Sequence, residues 1–252
     1  MLIYANTVKD IYMKSLDSLN FKNTFAKLPE IFFSEHKPKA LADDFLIHFN
    51  EHVAELLELD VSESKRADFL DIFTTRKHFE GFRPLAACYA GHQFGHFVPR
   101  LGDGRAILLG QVRTQDNQPW DLQLKGGGPT LYSRGSDGRA VLRSSIWEYL
   151  CSAAMHGLNI PTTHALFLSG SKEEIYREQI EPGAMVLRVA PSHIRFGSFE
   201  YYFYSQRYDD LKRLGEYVLK EYYPHLLSVE KPYLAFLNEV IKSLSLIHIS
   251  EP

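Results

Sequence analysis

The sequence predicts an α+β fold, in which strands and helices occupy separate stretches of the chain and do not alternate as βαβ units. Two short apolar runs, at 106–112 and 120–125, are typical of strands, and the polar segment TQDNQP between them predicts an antiparallel hairpin. A helix is predicted next, at 138–156. Further strands are predicted at 165–168 and 185–190, and further helices at 208–222 and 232–246.

The first 80 residues predict a mostly helical extension that precedes a glycine-rich stretch. Asp43 or Asp44 can cap a first helix, and a second helix is predicted at 62–75. The apolar positions of the first helix would be Phe45, Leu46, Phe49, Val53 and Leu57. We therefore expect a helical extension at 1–80, a lobe at 81–200 and a further set of helices at 201–243.

The helix at 138–156 has one apolar face and possible caps at both ends. Ser136 or Asp137 can accept hydrogen bonds from its first turn, and Gly157 suits a C-terminal cap. The apolar face would contain Leu142, Ile146, Tyr149, Leu150 and Ala153.

Composition excludes several classes of protein. The chain has 252 residues, of which 13% are aromatic, so it is not a disordered protein, and its net charge of −3 argues against nucleic-acid binding. No apolar run reaches the ~18 residues of a membrane span, and Lys9 and Asp10 interrupt the stretch where a signal peptide would be apolar. Cys88 and Cys151 form no C-x-x-C motif and are predicted to be small buried residues in a reducing compartment. We therefore expect a cytoplasmic protein without membrane or nucleic-acid partners.

A glycine-rich turn, RLGDGR at 100–105, precedes the first strand of the predicted hairpin. Gly102 and Gly104 permit a tight turn and a close approach to an anion, and neighbouring backbone N–H groups can then cradle phosphate oxygens. A strand and not a helix follows Gly104, so the turn is not a Rossmann fingerprint. The second glycine run, at 126–128, is not a P-loop, because Lys125 precedes these glycines and does not follow them. The alternative is a plain hairpin turn.

Lys125 ends the second strand of the hairpin, and Glu148 lies in the middle of the following helix. A strand lysine that is held by a glutamate of the next helix, and that faces a glycine hairpin, is the phosphate-binding arrangement of protein kinases. The glutamate would restrict the ammonium group to one position. The alternative is that Lys125 lies on the surface and Glu148 pairs locally with Arg143 or Ser144.

Arginines are frequent in the same glycine-rich stretch: Arg105, Arg134, Arg139, Arg143, Arg188 and Arg195. Arg188 lies in an apolar run, so it either extends to solvent or serves a buried anion. The alternative for the group is solvated arginines and structural ion pairs. His92 and His96 have the spacing of helical metal ligands, but glycines interrupt the segment, so core or hydrogen-bonded histidines are the better interpretation.

Five segments of the sequence closely resemble the hallmark of the selenoprotein O (YdiU) family, and the resemblance extends over about residues 20–240. The segments are YAGHQFGHFVPRLGDGRA at 89–106, WDLQLKG at 120–126, YSR at 132–134, DGRAVLRSS at 137–145 and APSHIRFGSFE at 190–200. The resemblance implies a protein-kinase-like fold and a pseudokinase that binds ATP in a flipped orientation. It also implies AMP transfer to Ser, Thr or Tyr hydroxyls of other proteins with Mg²⁺ or Mn²⁺, and a link to redox homeostasis.

By the same resemblance, Gly102, Gly104, Arg105, Lys125, Asp137 and Gly138 would contact the nucleotide. Arg188 and Arg195 would reach the phosphates, and Glu148 would pair with Lys125. Residues 81–200 would form the kinase-like nucleotide-binding lobe, and 201–243 the first helices of a second lobe. The family's catalytic base and metal ligands lie beyond these motifs. We therefore expect the N-terminal half of the enzyme, with no catalytic or metal-binding residue and no transferase activity of its own.

Residues 244–252 do not resemble the family and are typical of a translated sequencing adapter, so we exclude them from the fold prediction. The alternative is a divergent helix end. Two other functions stay open, a kinase-like phosphotransferase and a nucleotide-binding relic without catalysis.

Overall fold

A large antiparallel sheet organises the chain. The computed structural model describes the backbone of residues 12–249 and the side chains of residues 12–244. Within this part, the sheet strands are β1 Phe33–Glu35, β2 Phe45–Phe49, β3 Leu85–Ala87, β6 Ala106–Arg113, β7 Pro119–Lys125, β8 Ala140–Val141, β9 His164–Tyr176 and β10 Ile180–Ala190, while β4 Gly91–Gln93 and β5 His96–Val98 form a separate hairpin. The order in the sheet is β1-β3-β6-β7-β10-β9-β2, with β8 paired to β10.

Within the described residues, six α-helices accompany the sheet. They are α1 Glu51–Leu56, α2 Phe69–Phe73, α3 Leu142–Gly157, α4 Phe196–Tyr204, α5 Tyr208–Tyr222 and α6 Pro232–Ile249. α1 and α2 lie between β2 and β3 in the chain, α3 lies between β8 and β9, and the other three follow β10. The main core joins the sheet to α1 and α2, where Phe69, Phe73 and Phe167 pack edge to face. Each fully buried ring of this kind contributes roughly 1.5–3 kcal/mol. A smaller cluster around Tyr149 seats α3 on β9 and β10.

The α+β class and the central hairpin are confirmed. β6 and β7 pair antiparallel, with Ala106 opposite Lys125, because alternating apolar residues on both strands meet one core. The helix predicted at 208–222 is α5, with the same bounds. The strands predicted at 165–168 and 185–190 lie within the longer β9 and β10.

The helical prediction for the N-terminal region is wrong between residues 45 and 49. Phe45–Phe49 is strand β2, which pairs with β9, and a helix begins only at Glu51, after the Asn50 side chain accepts a hydrogen bond from Val53 N–H at 3.3 Å. β1 also joins the sheet. The helix predicted at 62–75 is a 3-10 turn followed by α2. Residues 12–80 are therefore part of the sheet architecture, and residues 1–11 lie outside the described part.

Helix α3 begins four residues later than predicted, at Leu142. Gly138 has a φ of +65°, and β8 pairs with β10 just before the helix, so residues 138–141 cannot be helical. Gly157 is the last helical residue and not a left-handed cap. Of the predicted apolar face only Tyr149 is buried, while Ile146 and Leu150 are exposed.

Candidate functional site

One cleft, with a volume of about 790 Å³, lies between the glycine turn, the end of β7 and the loop that precedes α3. The structure brings together here all eight residues predicted to bind nucleotide. They are Gly102, Gly104, Arg105, Lys125, Asp137, Gly138, Arg188 and Arg195. Glu148 lies behind this lining and reaches the cleft through its ion pair with Lys125.

Lys125, Glu148 and Arg188 form a hydrogen-bonded group, here termed the basal triad. The Lys125 ammonium donates to the Glu148 carboxylate, and Arg188 Nη1 lies 3.5 Å from the other carboxylate oxygen. The three side chains come from β7, α3 and β10, which are adjacent because β7 pairs with β10 and α3 packs on β10. Their exposed fractions are 15%, 24% and 17%, so two cations share one carboxylate in a largely buried place.

Burial penalises both cations of the basal triad. It lowers the pKa of Lys125, although the hydrogen bond with Glu148 opposes the shift, and the charges of Arg188 and Arg105 lower it further. Burial also lowers the pKa of Arg188, whose Nε has no hydrogen-bond partner among the described residues. A buried cation that lacks a full set of partners is costly, and an anion in the cleft would offset that cost. The triad therefore has a surplus of positive charge that suits a phosphate.

Gln123 and Asp103 connect Arg188 to the glycine turn through hydrogen bonds. Arg188 donates to Gln123 Oε1, and Gln123 Nε2 donates to Asp103 Oδ2 at 3.1 Å. Asp103 also accepts hydrogen bonds from Tyr89 Oη and from Ala87 N–H, each at 3.1 Å. This network was not predicted from the sequence. The available signal was strand alternation, which places Gln123 on the same face of β7 as Lys125.

The glycine turn brings backbone close to the cleft, but its N–H groups do not form the predicted phosphate cradle. Gly102 has a φ of +58°, and a Cβ there would lie 2.2 Å from the ring of Tyr132. Gly102 N–H donates to the Tyr89 carbonyl, and the N–H groups of Asp103 and Gly104 also donate to backbone carbonyls. Because these amides are engaged within the chain, the cationic side chains remain the principal donors for an anion.

Asp137 and Gly138 shape the loop that precedes α3. Arg177 donates to both carboxylate oxygens of Asp137, at 2.8 and 2.9 Å, and this pairing lowers the pKa of Asp137. Asp137 also accepts from Arg139 N–H at 2.9 Å. A Cβ on Gly138 would lie 2.1 Å from the carbonyl carbon of Gly128. The carboxylate therefore organises the loop and does not cap the helix.

Two of the arginines expected in this region have structural partners. Arg139 Nη2 lies 3.1 Å from a Glu173 carboxylate oxygen, and its guanidinium also donates to backbone carbonyls. Arg143 donates twice to Glu181, at 2.9 and 3.0 Å. Glu148 therefore pairs with Lys125 and Arg188 and not with Arg143, which excludes the local pairing considered above.

The other arginines of the cleft retain capacity for a ligand. The Arg105 guanidinium is exposed and forms no hydrogen bond or ion pair within the described residues. Arg195 lies over the ring of Tyr89, at 5.1 Å from its centroid. Arg134 Nη2 donates to Gln93 Oε1 at 2.7 Å.

Several other predictions concern features that are not part of the cleft. His92 and His96 lie in the β4–β5 hairpin and are exposed, and neither imidazole forms a hydrogen bond within the described residues, so the prediction of core or hydrogen-bonded histidines is wrong. Among residues 12–249, no group of three or more His, Cys, Asp or Glu side chains could hold a metal ion. Cys88 is buried as predicted, whereas Cys151 is exposed on α3. No helix in this part of the chain is long and apolar enough to cross a membrane.

Comparison with known proteins places the chain in a family of protein nucleotidyltransferases. The family described as "Protein adenylyltransferase SelO" matches residues 15–247. The chain therefore belongs to the SelO family, and the resemblance drawn from the five hallmark segments is confirmed.

Individual relatives give the extent of the match. The "Protein nucleotidyltransferase YdiU" of Thiobacillus denitrificans is 49% identical over 228 residues, which are 90% of this chain and 47% of the relative. Its namesake in Photobacterium profundum is 53% identical over 218 residues, 86% of this chain and 42% of the relative. The protein of the same name in Hahella chejuensis is 50% identical over 226 residues, which are 90% of this chain and 46% of the relative. The chain thus spans about half the length of the curated relatives it matches.

Proposed function

We propose that this chain supplies the ATP-binding part of a protein adenylyltransferase with a kinase-like lobe. The observation that carries the proposal is the basal triad, which lies at the base of a cleft lined by all eight predicted nucleotide-binding residues. β7 lies between β6 and β10 with Lys125 at its end, and Glu148 comes from the next helix. Protein kinases use this combination of a strand lysine and a helix glutamate to bind phosphates.

The charges of the cleft suit the leaving group of AMP transfer. An acceptor hydroxyl oxygen bonds to the α-phosphorus of ATP and gives its proton to a general base of the full-length enzyme. The bond from that phosphorus to the α,β-bridging oxygen breaks, and pyrophosphate leaves with the electron pair. Lys125 and Arg188 would hold the β- and γ-phosphates, where negative charge increases in the transition state. Arg105 and Arg195, which have no carboxylate partner within the described residues, would neutralise the remaining phosphate charge.

Glu148 would act by positioning. It holds the Lys125 ammonium and the Arg188 guanidinium through its two carboxylate oxygens, so both cations have fixed places before ATP enters. A preorganised cation needs no reorganisation when charge develops on the phosphates. The same contact excludes most rotamers of the long lysine side chain.

The expected Mg²⁺ or Mn²⁺ is not assigned to these residues. Asp103 accepts hydrogen bonds from Gln123, Tyr89 and Ala87, and Asp137 is paired with Arg177. Both acidic side chains that line the cleft are thus engaged by donors, and the donor set does not fit a divalent cation by itself. No step of the proposal is routed through a metal in this part of the chain.

The decisive experiment follows the label of radioactive ATP in full-length YdiU of Photobacterium profundum, incubated with a mixture of protein acceptors. Label from α-³²P-ATP on protein, without label from γ-³²P-ATP, supports adenylyl transfer. Label from γ-³²P-ATP alone favours the phosphotransferase alternative and overturns the proposal. Hydroxyl acceptors on Ser, Thr or Tyr are identified by mass spectrometry of the labelled peptides. This chain alone is expected to transfer no AMP, and turnover comparable to that of the relative would contradict that expectation.

A further inference from the structure

The β4–β5 hairpin has an unusual residue at its tip. Its two-residue turn is Phe94-Gly95, with φ values of +52° and +79°. Two consecutive residues with positive φ are typical of a type I′ turn, which favours Asn, Asp or Gly at the first position because bulky side chains are strained there. Folding alone therefore does not explain a phenylalanine at position 94. A residue held in a costly conformation points to a role outside folding.

Phe94 lies at the rim of the cleft. Gln93 and Phe94 are part of the cleft lining, and the hydrogen bond from Arg134 to Gln93 ties the hairpin to the loop that follows β7. Residue Phe94 is 92% exposed, whereas the side chain of Lys125 at the base is 15% exposed. The cleft thus has a buried cationic base and an exposed aromatic rim.

The other aromatic residues of the cleft already have partners. Tyr89 donates its hydroxyl to Asp103, and its ring lies under the Arg195 guanidinium. Tyr132 is buried, with the Arg100 guanidinium 5.3 Å from its ring centroid. Phe94 has no ring partner among the described residues and is therefore the available aromatic face of this cleft.

We propose that Phe94 stacks on the base of the bound nucleotide. This inference rests on the proposed function, in which the triphosphate binds the basal triad. With the phosphates at the buried base of the cleft, the nucleoside extends towards the rim, where Phe94 offers an aromatic surface. Stacking on an aromatic ring is available to every base because each has a π face, and purines offer the largest one.

The test separates the base from the phosphates with two probes, ATP and inorganic triphosphate, each titrated calorimetrically into the chain. Phe94→Asn is the informative variant, because Asn-Gly is the preferred type I′ pair, so the hairpin is kept while the ring is removed. We expect Phe94→Asn to weaken ATP binding about ten-fold and to leave triphosphate binding unchanged. Phe94→Trp is expected to retain ATP binding. Tyr208→Asn, which removes another exposed aromatic that does not line the cleft, is the matched control.

The outcomes separate this inference from the proposed function. Equal binding of ATP to the wild type and to Phe94→Asn, with triphosphate also bound, overturns the role of Phe94 and leaves the phosphate site intact. An equal loss of ATP and triphosphate binding in Phe94→Asn also overturns it, because the ring would then support the phosphate site and not the base. A wild-type chain that binds neither probe contradicts the proposed function itself.

Discussion

Two charged networks in this chain differ in their balance of positive and negative side chains. In the N-terminal region Arg66 forms ion pairs with three carboxylates, those of Asp17, Glu63 and Asp68. Lys77 forms a second ion pair with Asp68. These contacts raise the pKa of Arg66 and lower that of Asp68, so both ionised forms are stabilised. In the basal triad, by contrast, burial lowers the pKa of both cations, which share the single carboxylate of Glu148.

Under the proposed function, this difference separates a network that serves folding from one that would serve a ligand. The N-terminal network has a carboxylate for every cation, so it is complete without a partner. Within the basal triad itself two cations contact one carboxylate. The nearby Asp103 charge also favours the Arg188 cation, but Arg188 Nε has no acceptor among the described residues. In natural anion-binding sites, uncompensated positive charge destabilises the free protein, and the bound anion offsets that destabilisation.

The largest expected difference between the networks follows from removal of a carboxylate. Glu148→Gln leaves the two neighbouring cations Lys125 and Arg188 without this carboxylate. We expect the substitution to lower the free energy of unfolding by about 2 kcal/mol. This value is smaller than that for a fully buried ion pair because Glu148 is partly exposed. Asp17→Asn, the matched control, removes one of several carboxylates around Arg66 at a side chain that is 62% exposed, and it should cost less than about 1 kcal/mol. Urea unfolding of both variants measures the difference. Equal costs would remove the distinction between the two networks.

A smaller effect is expected from pH, which acts on the two networks in different windows: on folding stability in acid for the N-terminal network, and on ATP affinity in alkali for the basal triad. The pKa of Asp68 is lowered by hydrogen bonds from Arg66 and Lys77, so the stability it contributes is present above the unfolded pKa of about 4 and is lost as the pH falls below it. The pKa of Lys125 is lowered, so ATP affinity should fall as the pH rises towards the ordinary lysine pKa of about 10.4. In that same alkaline window folding stability rises, because the unfolded chain binds more protons.

Unfolding titrations in the acid window and ATP titrations in the alkaline window check the two expectations. Asp68→Asn should flatten the acid side of the stability curve, and Lys125→Met should remove the alkaline decline in ATP affinity. An alkaline decline that persists in Lys125→Met would assign the titration to another group.

Local patterns predicted the part of the fold that builds the cleft. Lys125 and Glu148 were recognisable because the lysine ends a strand with clear alternation and the glutamate lies in the next helix, 23 residues away. β2 could not be predicted, because Phe45 pairs with Gly170 and no local pattern reports so distant a partner. Residues 45–57 have apolar spacing compatible with a helix, and strand pairing overrides that preference.

The candidate site shows the same limit at the level of single atoms. The sequence identified the glycine turn from Gly102 and Gly104, but not that their N–H groups would be consumed by backbone carbonyls. The bridge from Arg188 through Gln123 to Asp103 depends on the pairing of β10 with β7, which aligns Arg188 with Gln123. Such contacts follow from sheet register, which a single sequence does not determine.

The central claim is that the basal triad is incomplete without an anion, and its most direct test is Lys125→Met. This change leaves Arg188 and Glu148 as a balanced pair, so the free energy of unfolding should stay the same or rise by up to about 1 kcal/mol. ATP affinity, measured by calorimetry on the same sample, should fall about 30-fold or more through loss of a charged hydrogen-bond donor. Lys172→Met, which removes an exposed lysine outside the cleft, should change neither quantity. Lys125→Met protein that binds ATP as the wild type does, or that loses several kcal/mol of stability, would contradict the account.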